Sequence, residues 1–226
     1  EKPVESVGEG LARGMTAGTA PPPGFEVPII DLSRPCDDHE LVAQVRDACQ
    51  RVGFFHVVNH GVPGEVLHSA MRVTRSFFEL PEAVKMRVAN SKKGFIPING
   101  QPENAVRPTA LHEKFSCSRV DGVDKRTDRA YYDPTGPNAE QAALYFGEAN
   151  QWPDRPIDFE PTWTAYYKSM ELLTGKLMTI FAHALGVPAD FFKMFHDKHV
   201  TNLVALRYPP MTAEARAAAA GEAEAR

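Results

Sequence analysis

The chain has 226 residues, of which 43% are hydrophobic and 24% are charged. This composition is typical of a globular protein that is long enough to bury a core without disulfide staples. The net charge of −4 and the lack of a basic run argue against partners such as nucleic acid or an anionic membrane. No apolar stretch approaches the roughly 20 residues of a membrane-spanning helix.

Three cysteines, Cys36, Cys49 and Cys117, are widely spaced and form no Cys-x-x-Cys pair. This pattern disfavours a disulfide framework and a thiolate zinc site, and it predicts a reducing, cytoplasmic location. Position 1 is Glu, so we expect the natural start of the protein to lie upstream, and organellar targeting stays open as an alternative.

Both ends of the chain have low-complexity composition. Residues 1–24 are rich in Gly, Ala, Thr and Pro and are interpreted as a flexible leader. Residues 211–226 are rich in Ala and Glu, and we expect a loop or a frayed helix there. The domain itself is expected to occupy residues 25–210.

The first ordered elements alternate between strand and helix. Residues 27–32 read as a short strand, and the apolar spacing over 37–52 predicts a helix capped by Ser33 or Asp37. Gly53 stands where a left-handed residue ends such a helix.

The following segment repeats this alternation. Residues 54–59 read as a buried strand, and residues 64–79 as a second amphipathic helix. Pro81 can then open a short third helix.

The second half of the chain contains one long helix. Its apolar spacing runs over residues 162–185 and ends at Gly186, and a short helix is expected over 187–192. Strands are predicted at 115–120 and 201–208, the latter ending at Pro209 and Pro210.

The histidines do not predict a metal site. A facial triad for non-haem iron needs two histidines and a carboxylate, and on a strand the local element is His-x-Asp or His-x-Glu. No Asp or Glu stands two residues after any of the eight histidines, which are His39, His56, His60, His68, His112, His183, His196 and His199. His196, Asp197 and His199 could together bind a divalent ion, or they could lie in a solvated turn.

Several motifs occur in a recognisable order. Val-Pro-Ile-Ile-Asp-Leu (27–32) is followed by Gly-Phe-Phe-His-Val-Val-Asn-His-Gly-Val-Pro (53–63) and Phe-Phe-Glu-Leu-Pro (77–81). Lys-Gly-Phe (93–95), His-Glu-Lys-Phe (112–115), Asn-Gln-Trp-Pro (150–153) and Arg-Tyr-Pro-Pro (207–210) come later. Over about residues 27–210 the chain resembles the isopenicillin N synthase-like family of non-haem iron and 2-oxoglutarate-dependent dioxygenases.

This resemblance implies an α+β fold. A helical N-terminal region would pack on a double-stranded β-helix, or jelly roll, and this core would be incomplete in the chain. The family binds iron through a His-x-Asp that follows the Tyr-Pro-Pro motif and through a later His, and it binds 2-oxoglutarate through an Arg-x-Ser. None of these motifs occurs in the sequence, so we assign no metal ligand and no catalytic residue.

The resemblance does imply some binding residues. Tyr208 matches the family tyrosine whose hydroxyl reaches the carboxylate of the cosubstrate or of the substrate. Asn202 and Val204 precede Tyr208 by even offsets, so we expect them on the same strand face, with Val204 as an apolar wall. Lys92 matches an arginine that binds a substrate carboxylate in the synthase. Arg207 is expected to lie outside this pocket.

The implied function is that of an oxidoreductase. With Fe(II) and 2-oxoglutarate, the family uses O2 to abstract hydrogen from a small-molecule substrate. We expect the 226-residue chain alone to be inactive, because the expected metal ligands are missing from it. The alternative is a catalytically inactive binding or scaffold fragment of the same fold.

Overall fold

The described strands form two small sheets. The computed structural model describes residues 26–90, 93–98, 112–120, 135, 139–140, 149–196, 199 and 201–210. Strands β1 (Ile29–Asp31) and β2 (His56–Val58) pair in parallel. Strands β3 (Phe95–Ile96), β4 (Glu113–Ser118) and β5 (Asn202–Arg207) form an antiparallel sheet with β4 at its centre.

Helices connect and cover these sheets. They are α1 (His39–Arg51), α2 (Gly64–Phe78), α3 (Glu82–Lys85), α4 (Phe159–Leu185) and α5 (Lys193–His196), with a single 3-10 turn at Met86–Val88. The long helix α4 packs against both α1 and α2. The described part of the chain is therefore an α+β arrangement, with helices on one face of the antiparallel sheet.

The N-terminal cap of helix α1 lies one residue after Asp37, the later of its two predicted caps. The Asp38 carboxylate accepts a hydrogen bond from the Leu41 backbone N–H at 2.9 Å, so neither Ser33 nor Asp37 is the cap. The Ser33 N–H instead donates to the Asp31 carboxylate. Gly53 ends this region with a φ of 88°, which confirms the predicted left-handed position.

Strand β2 is not buried as predicted. Phe54 is 56% exposed and Val58 is 42% exposed, whereas Phe55 and Val57 pack against the core. A parallel pair with helices on only one of its faces leaves alternate side chains in solvent. The prediction of a buried strand over residues 54–59 was therefore wrong. It was inferred from the apolar residues that occur on both faces of this strand.

Helix α4 joins two separate cores. Its first turns contribute Phe159 and Trp163 to an aromatic cluster that includes Phe77, Phe95 and Phe115. Its last turns contribute Ile180 to an aliphatic cluster whose other buried members are Ile30, Leu32, Leu41, Val45 and Ala48. Gly186 then ends the helix with a φ of 72°, as predicted.

Two predicted elements are shifted. The helix expected over 187–192 is a series of turns, in which Phe191 N–H donates to Pro188 and Lys193 N–H to Asp190, and α5 begins only at Lys193. These bonds span three residues rather than the four of an α-helix. Strand β4 starts two residues before its predicted position because Glu113 is buried with cationic partners.

The predicted leader (1–24) and the Ala-rich end (211–226) lie outside the described residues. No helix in the described part of the chain is long and apolar enough to cross a bilayer.

Candidate functional site

The two faces of the antiparallel sheet have different surroundings. Phe115 and Cys117 on β4, together with Leu203 and Ala205 on β5, face the aromatic cluster under α2 and α4. The alternate residues point the other way, because successive side chains of a strand alternate between faces. We call this second surface the distal face; its strand residues are Ile96, Lys114, Ser116, Ser118, Asn202, Val204 and Leu206.

Three residues predicted for the site lie along this face. Asn202 is exposed and Val204 is 45% exposed on β5. Tyr208 follows the strand at an even offset from both and is 67% exposed. Its ring centroid lies 5.1 Å from that of His112, with the two ring planes tilted by 45°. The fourth predicted residue, Lys92, lies outside the described residues.

Asn202 has a polar neighbour that the sequence did not single out. The Ser118 hydroxyl lies 3.4 Å from the side-chain oxygen of Asn202, directly across the β4–β5 pair. Asn150 holds Ser118 in place with its amide, which accepts from the Ser118 N–H at 2.8 Å and donates to the Ser118 carbonyl at 3.2 Å. The Asn-x-Trp-Pro motif therefore supports one end of the distal face.

The opposite face carries an ion cluster in which Lys85 and Glu113 are buried and Arg207 is partly exposed. Lys85 donates to one oxygen of Glu113 at 2.5 Å, and Arg207 donates to the other at 2.6 Å. Lys85 and Arg207 both also donate to the Phe78 carbonyl at 3.3 Å. Lys85 and Glu113 are each 5% exposed, so burial is tolerated because the charges are paired and hydrogen-bonded. Arg207 thus lies away from Tyr208, as predicted.

His199 takes part in a different contact from the one considered for metal binding. Its Nε2 lies 2.8 Å from a Glu171 carboxylate oxygen, and its Nδ1 contacts the Thr201 hydroxyl. Asp197 and the side chain of His196 lie outside the described residues. Over the described ranges, no three His, Cys, Asp or Glu side chains are grouped so that they could hold a metal ion.

Tyr167 on α4 is buried, with 3% of its surface exposed. This burial raises the pKa of its phenol to about 12, because the phenolate would lose its hydration. The phenol therefore stays protonated at physiological pH.

The sequence of the chain is similar to those of known proteins. The model of the family described as the N-terminal region of non-haem dioxygenases in morphine synthesis matches residues 27–155. A flavonol synthase/flavanone 3-hydroxylase from Matthiola incana is 32% identical over 187 residues, which cover 82% of this chain and 56% of that enzyme.

Solved structures share the fold. A full-length protein from Neurospora crassa, crystallised in complex with alpha-KG, has a TM-score of 0.64 and 20% identity, covering 86% of this chain and 57% of that one. A 2OG-Fe(II) oxygenase family protein from Caulobacter crescentus has a TM-score of 0.65 and 19% identity, covering 84% and 58%.

The helices around a small antiparallel sheet are thus those of a non-haem oxygenase domain. The chain belongs to the non-haem dioxygenase family, and the matching family model is that of its N-terminal region. It spans little more than half the length of each of the three proteins compared.

Proposed function

We propose that the chain is the N-terminal part of an Fe(II)- and 2-oxoglutarate-dependent dioxygenase that oxidises a small molecule. The observation that carries this proposal is the position of Tyr208, exposed at the end of β5 and aligned with Asn202 and Val204 on one face. Family membership supplies the reaction class, and the names of the compared proteins supply the cofactors.

In this proposal Tyr208 binds a carboxylate. A phenol hydroxyl donates one directional hydrogen bond, and such a bond to a charged oxygen contributes about 1.5–3 kcal/mol. Asn202 lies six residues from Tyr208, or roughly 20 Å along the strand, so it offers its amide to a different part of the site. Val204 offers an apolar surface between them. Lys92 stays a candidate for binding a substrate carboxylate.

The distal face would be the inner surface of a jelly roll to which β3, β4 and β5 contribute. The proposal is supported by the exposure of Val204 and Leu206, 45% and 47%, since a sheet buries its apolar residues against another layer in a finished domain. Residues 25–210 would then belong to one dioxygenase domain.

The residues that the structure describes do not fit an iron centre. Among the described residues there is no metal-binding group of three, and no His-x-Asp or His-x-Glu occurs anywhere in the sequence. When bound, the metal would supply the oxidation chemistry. The residues of the distal face would bind and orient carboxylate ligands.

Carboxylate binding is tested by NMR titration of the isotope-labelled 226-residue chain with 2-oxoglutarate. We expect saturable shifts at the backbone amides of 202–208, with a dissociation constant on the millimolar scale, because one or two hydrogen bonds provide little affinity. Tyr208→Phe should weaken binding about tenfold, whereas Tyr166→Phe on α4 should not. Equal binding by both variants would refute the role of Tyr208.

Activity is tested on two forms of the protein. The 226-residue chain with Fe(II), 2-oxoglutarate and O2 is expected to consume no more 2-oxoglutarate than iron alone. The protein as its gene encodes it is expected to consume 2-oxoglutarate in an iron-dependent manner. If the longer form is also inactive with every small molecule offered, and binds no 2-oxoglutarate, the proposed function is wrong.

A further inference from the structure

Lys114 is the cationic side chain among the strand residues of the distal face. It lies in the middle of the central strand β4, directly opposite Ile96 on β3 and Leu206 on β5. Its flanking partners on both neighbouring strands are therefore aliphatic, and the side chain is half-buried. An ammonium in such surroundings loses part of its hydration without gaining a polar partner from either neighbouring strand.

The two faces of the sheet differ in how their charges are balanced. On the helix-covered face, the carboxylate of Glu113 is matched by two cations, Lys85 and Arg207. On the distal face, none of the strand residues is an Asp or a Glu. No carboxylate among the described residues lies within ion-pair distance of Lys114.

The neighbours of Lys114 are suited to an anionic ligand with an apolar body. Val204 on β5 and Tyr208 just after its end are its diagonal neighbours, at a separation of roughly 7–8 Å that long side chains can bridge. The Tyr208 ring also contacts His112, two residues before Lys114 on the same chain segment. A hydroxyl donor and an ammonium thus flank an exposed aliphatic surface formed by Val204 and Leu206.

We propose that Lys114 binds a carboxylate of a small molecule, whose apolar part rests on Val204 and Leu206. This inference rests on the proposed function, because it places the ligand at the same face. It goes further in naming the substrate class: an organic acid with an apolar body. The carboxylate could also be one of the two carboxylates of 2-oxoglutarate, so the test separates these sources.

The test is an NMR titration of the 226-residue chain with three probes. Phenylacetate supplies one carboxylate and an apolar ring, phenylacetamide is its neutral counterpart, and 2-oxoglutarate is the cosubstrate. We expect phenylacetate to shift the amides of 113–118 and 203–207 and to bind at least tenfold more tightly than phenylacetamide, since hydrogen bonds to charged groups are about twice as strong as neutral ones.

Three variants identify the cation responsible. Lys114→Met keeps the length of the side chain but removes its charge, and it should weaken phenylacetate binding at least tenfold. Lys114→Arg should retain binding within about threefold, and it should lose affinity as salt rises, as a charge interaction does. Lys168→Met, at an exposed lysine of α4, is the matched control and should change nothing. Circular dichroism confirms that each variant is folded.

The outcomes separate this inference from the proposed function. If Lys114→Met weakens phenylacetate alone, the carboxylate is that of the substrate; if it weakens 2-oxoglutarate alone, it is that of the cosubstrate. The first result supports the inference; the second overturns the proposed substrate class and assigns Lys114 to the cosubstrate. If Lys114→Met leaves both unchanged while Tyr208→Phe weakens 2-oxoglutarate, the inference is overturned and the proposed function stands. If neither acid shifts the distal face of the wild-type chain, the inference is overturned, and the proposed function is decided by the activity of the protein as its gene encodes it.

Discussion

Gly94 lies where the surrounding backbone leaves no room for a side chain. A Cβ at this position would lie 2.3 Å from the Val88 carbonyl oxygen and 3.2 Å from the Gln151 Cβ. The segment cannot easily move away, because the Gly94 carbonyl accepts from the Ser116 N–H at 3.0 Å. The glycine of the Lys-Gly-Phe motif is thus required by close packing beside β4.

Gly94→Ala is expected to destabilise the chain by about 1–3 kcal/mol, because the added methyl group forces the backbone of this turn apart. Gly175→Ala is the matched control. Gly175 is exposed in α4 and a Cβ there meets nothing within 4 Å, so alanine should stabilise by about 1 kcal/mol. Urea unfolding of both variants measures these changes; equal effects would contradict the steric explanation.

The buried phenol of Tyr167 should make stability fall at high pH. Its pKa is raised to about 12 in the folded chain, from 10 when unfolded, so between these values the folded state holds a proton that the unfolded state has lost. The free energy of unfolding should therefore decrease as pH rises from 10 to 12, by at most about 1.4 kcal/mol per pH unit from this residue.

The check is urea unfolding of Tyr167→Phe and Tyr166→Phe at several pH values from about 8 to 11.5, which bracket the ordinary tyrosine pKa. Tyr167→Phe should have a shallower decline than the wild-type chain, whereas Tyr166→Phe should keep the wild-type slope. An unchanged slope in Tyr167→Phe would mean that this phenol does not titrate at a raised pKa.

At the level of elements, the cluster of Lys85, Glu113 and Arg207 connects four parts of the fold. Lys85 ends α3, Glu113 begins β4 and Arg207 ends β5, while the Phe78 carbonyl at the end of α2 accepts from both cations. Because Tyr208 follows Arg207 directly, this cluster also fixes the end of the strand that presents the candidate site.

Glu113→Gln is expected to cost about 3–5 kcal/mol, because it leaves the buried ammonium of Lys85 without its counter-charge. Glu160→Gln, at an exposed position in the first turn of α4, should change stability by less than about 0.5 kcal/mol. A double-mutant cycle with Lys85→Met measures the coupling, since removing both charges should cost less than the sum of the single changes. Additive costs would contradict a direct pairing.

Elements governed by local spacing were predictable from the sequence. The apolar period of α4 and the stop at Gly186 depend on residues within the helix, and both were confirmed. The start of β4 was missed because Glu113 and Lys114 are polar, and only the distant residues Lys85 and Arg207 explain why Glu113 is buried in a strand. A pairing between residues that are distant in the sequence does not change the local spacing of apolar residues.

The candidate site was predictable only where the local spacing of residues determines it. The even spacing of Asn202 and Val204 placed them on one strand face, which the β4–β5 register confirms. Ser118 and Lys114 were not singled out, because they become neighbours of β5 only through a pairing between segments that are distant in the sequence. The spacing of Lys114, Ser116 and Ser118 was the available signal.

At the scale of the whole molecule, the outer edge of β5 affects how one chain interacts with another, because no described strand pairs with it. Strand β5 is an edge strand of the described sheet, and Leu206 beside this edge is 47% exposed. A strand edge with apolar neighbours can pair with another chain. We therefore expect the 226-residue chain to self-associate at high concentration.

Leu206→Glu should reduce this association, because a charge beside the strand edge opposes pairing with a second apolar strand. Leu172→Glu, at a position of α4 that is 79% exposed, is the control and should leave association unchanged. Sedimentation velocity over a concentration series measures both. If the two variants behave alike, association does not proceed through β5.

The amide of Asn150 also limits how far such association can extend. It occupies the backbone groups of Ser118 on the side of β4 away from β5, and the outer side of β3 is engaged by Ala89 and Asn90. Within the described sheet, the backbone groups at the β3 edge are thus already hydrogen-bonded, whereas no described strand pairs with the β5 edge. Two chains that join through β5 use up the open side of both, so growth by this route terminates at a symmetric pair and cannot propagate into a filament.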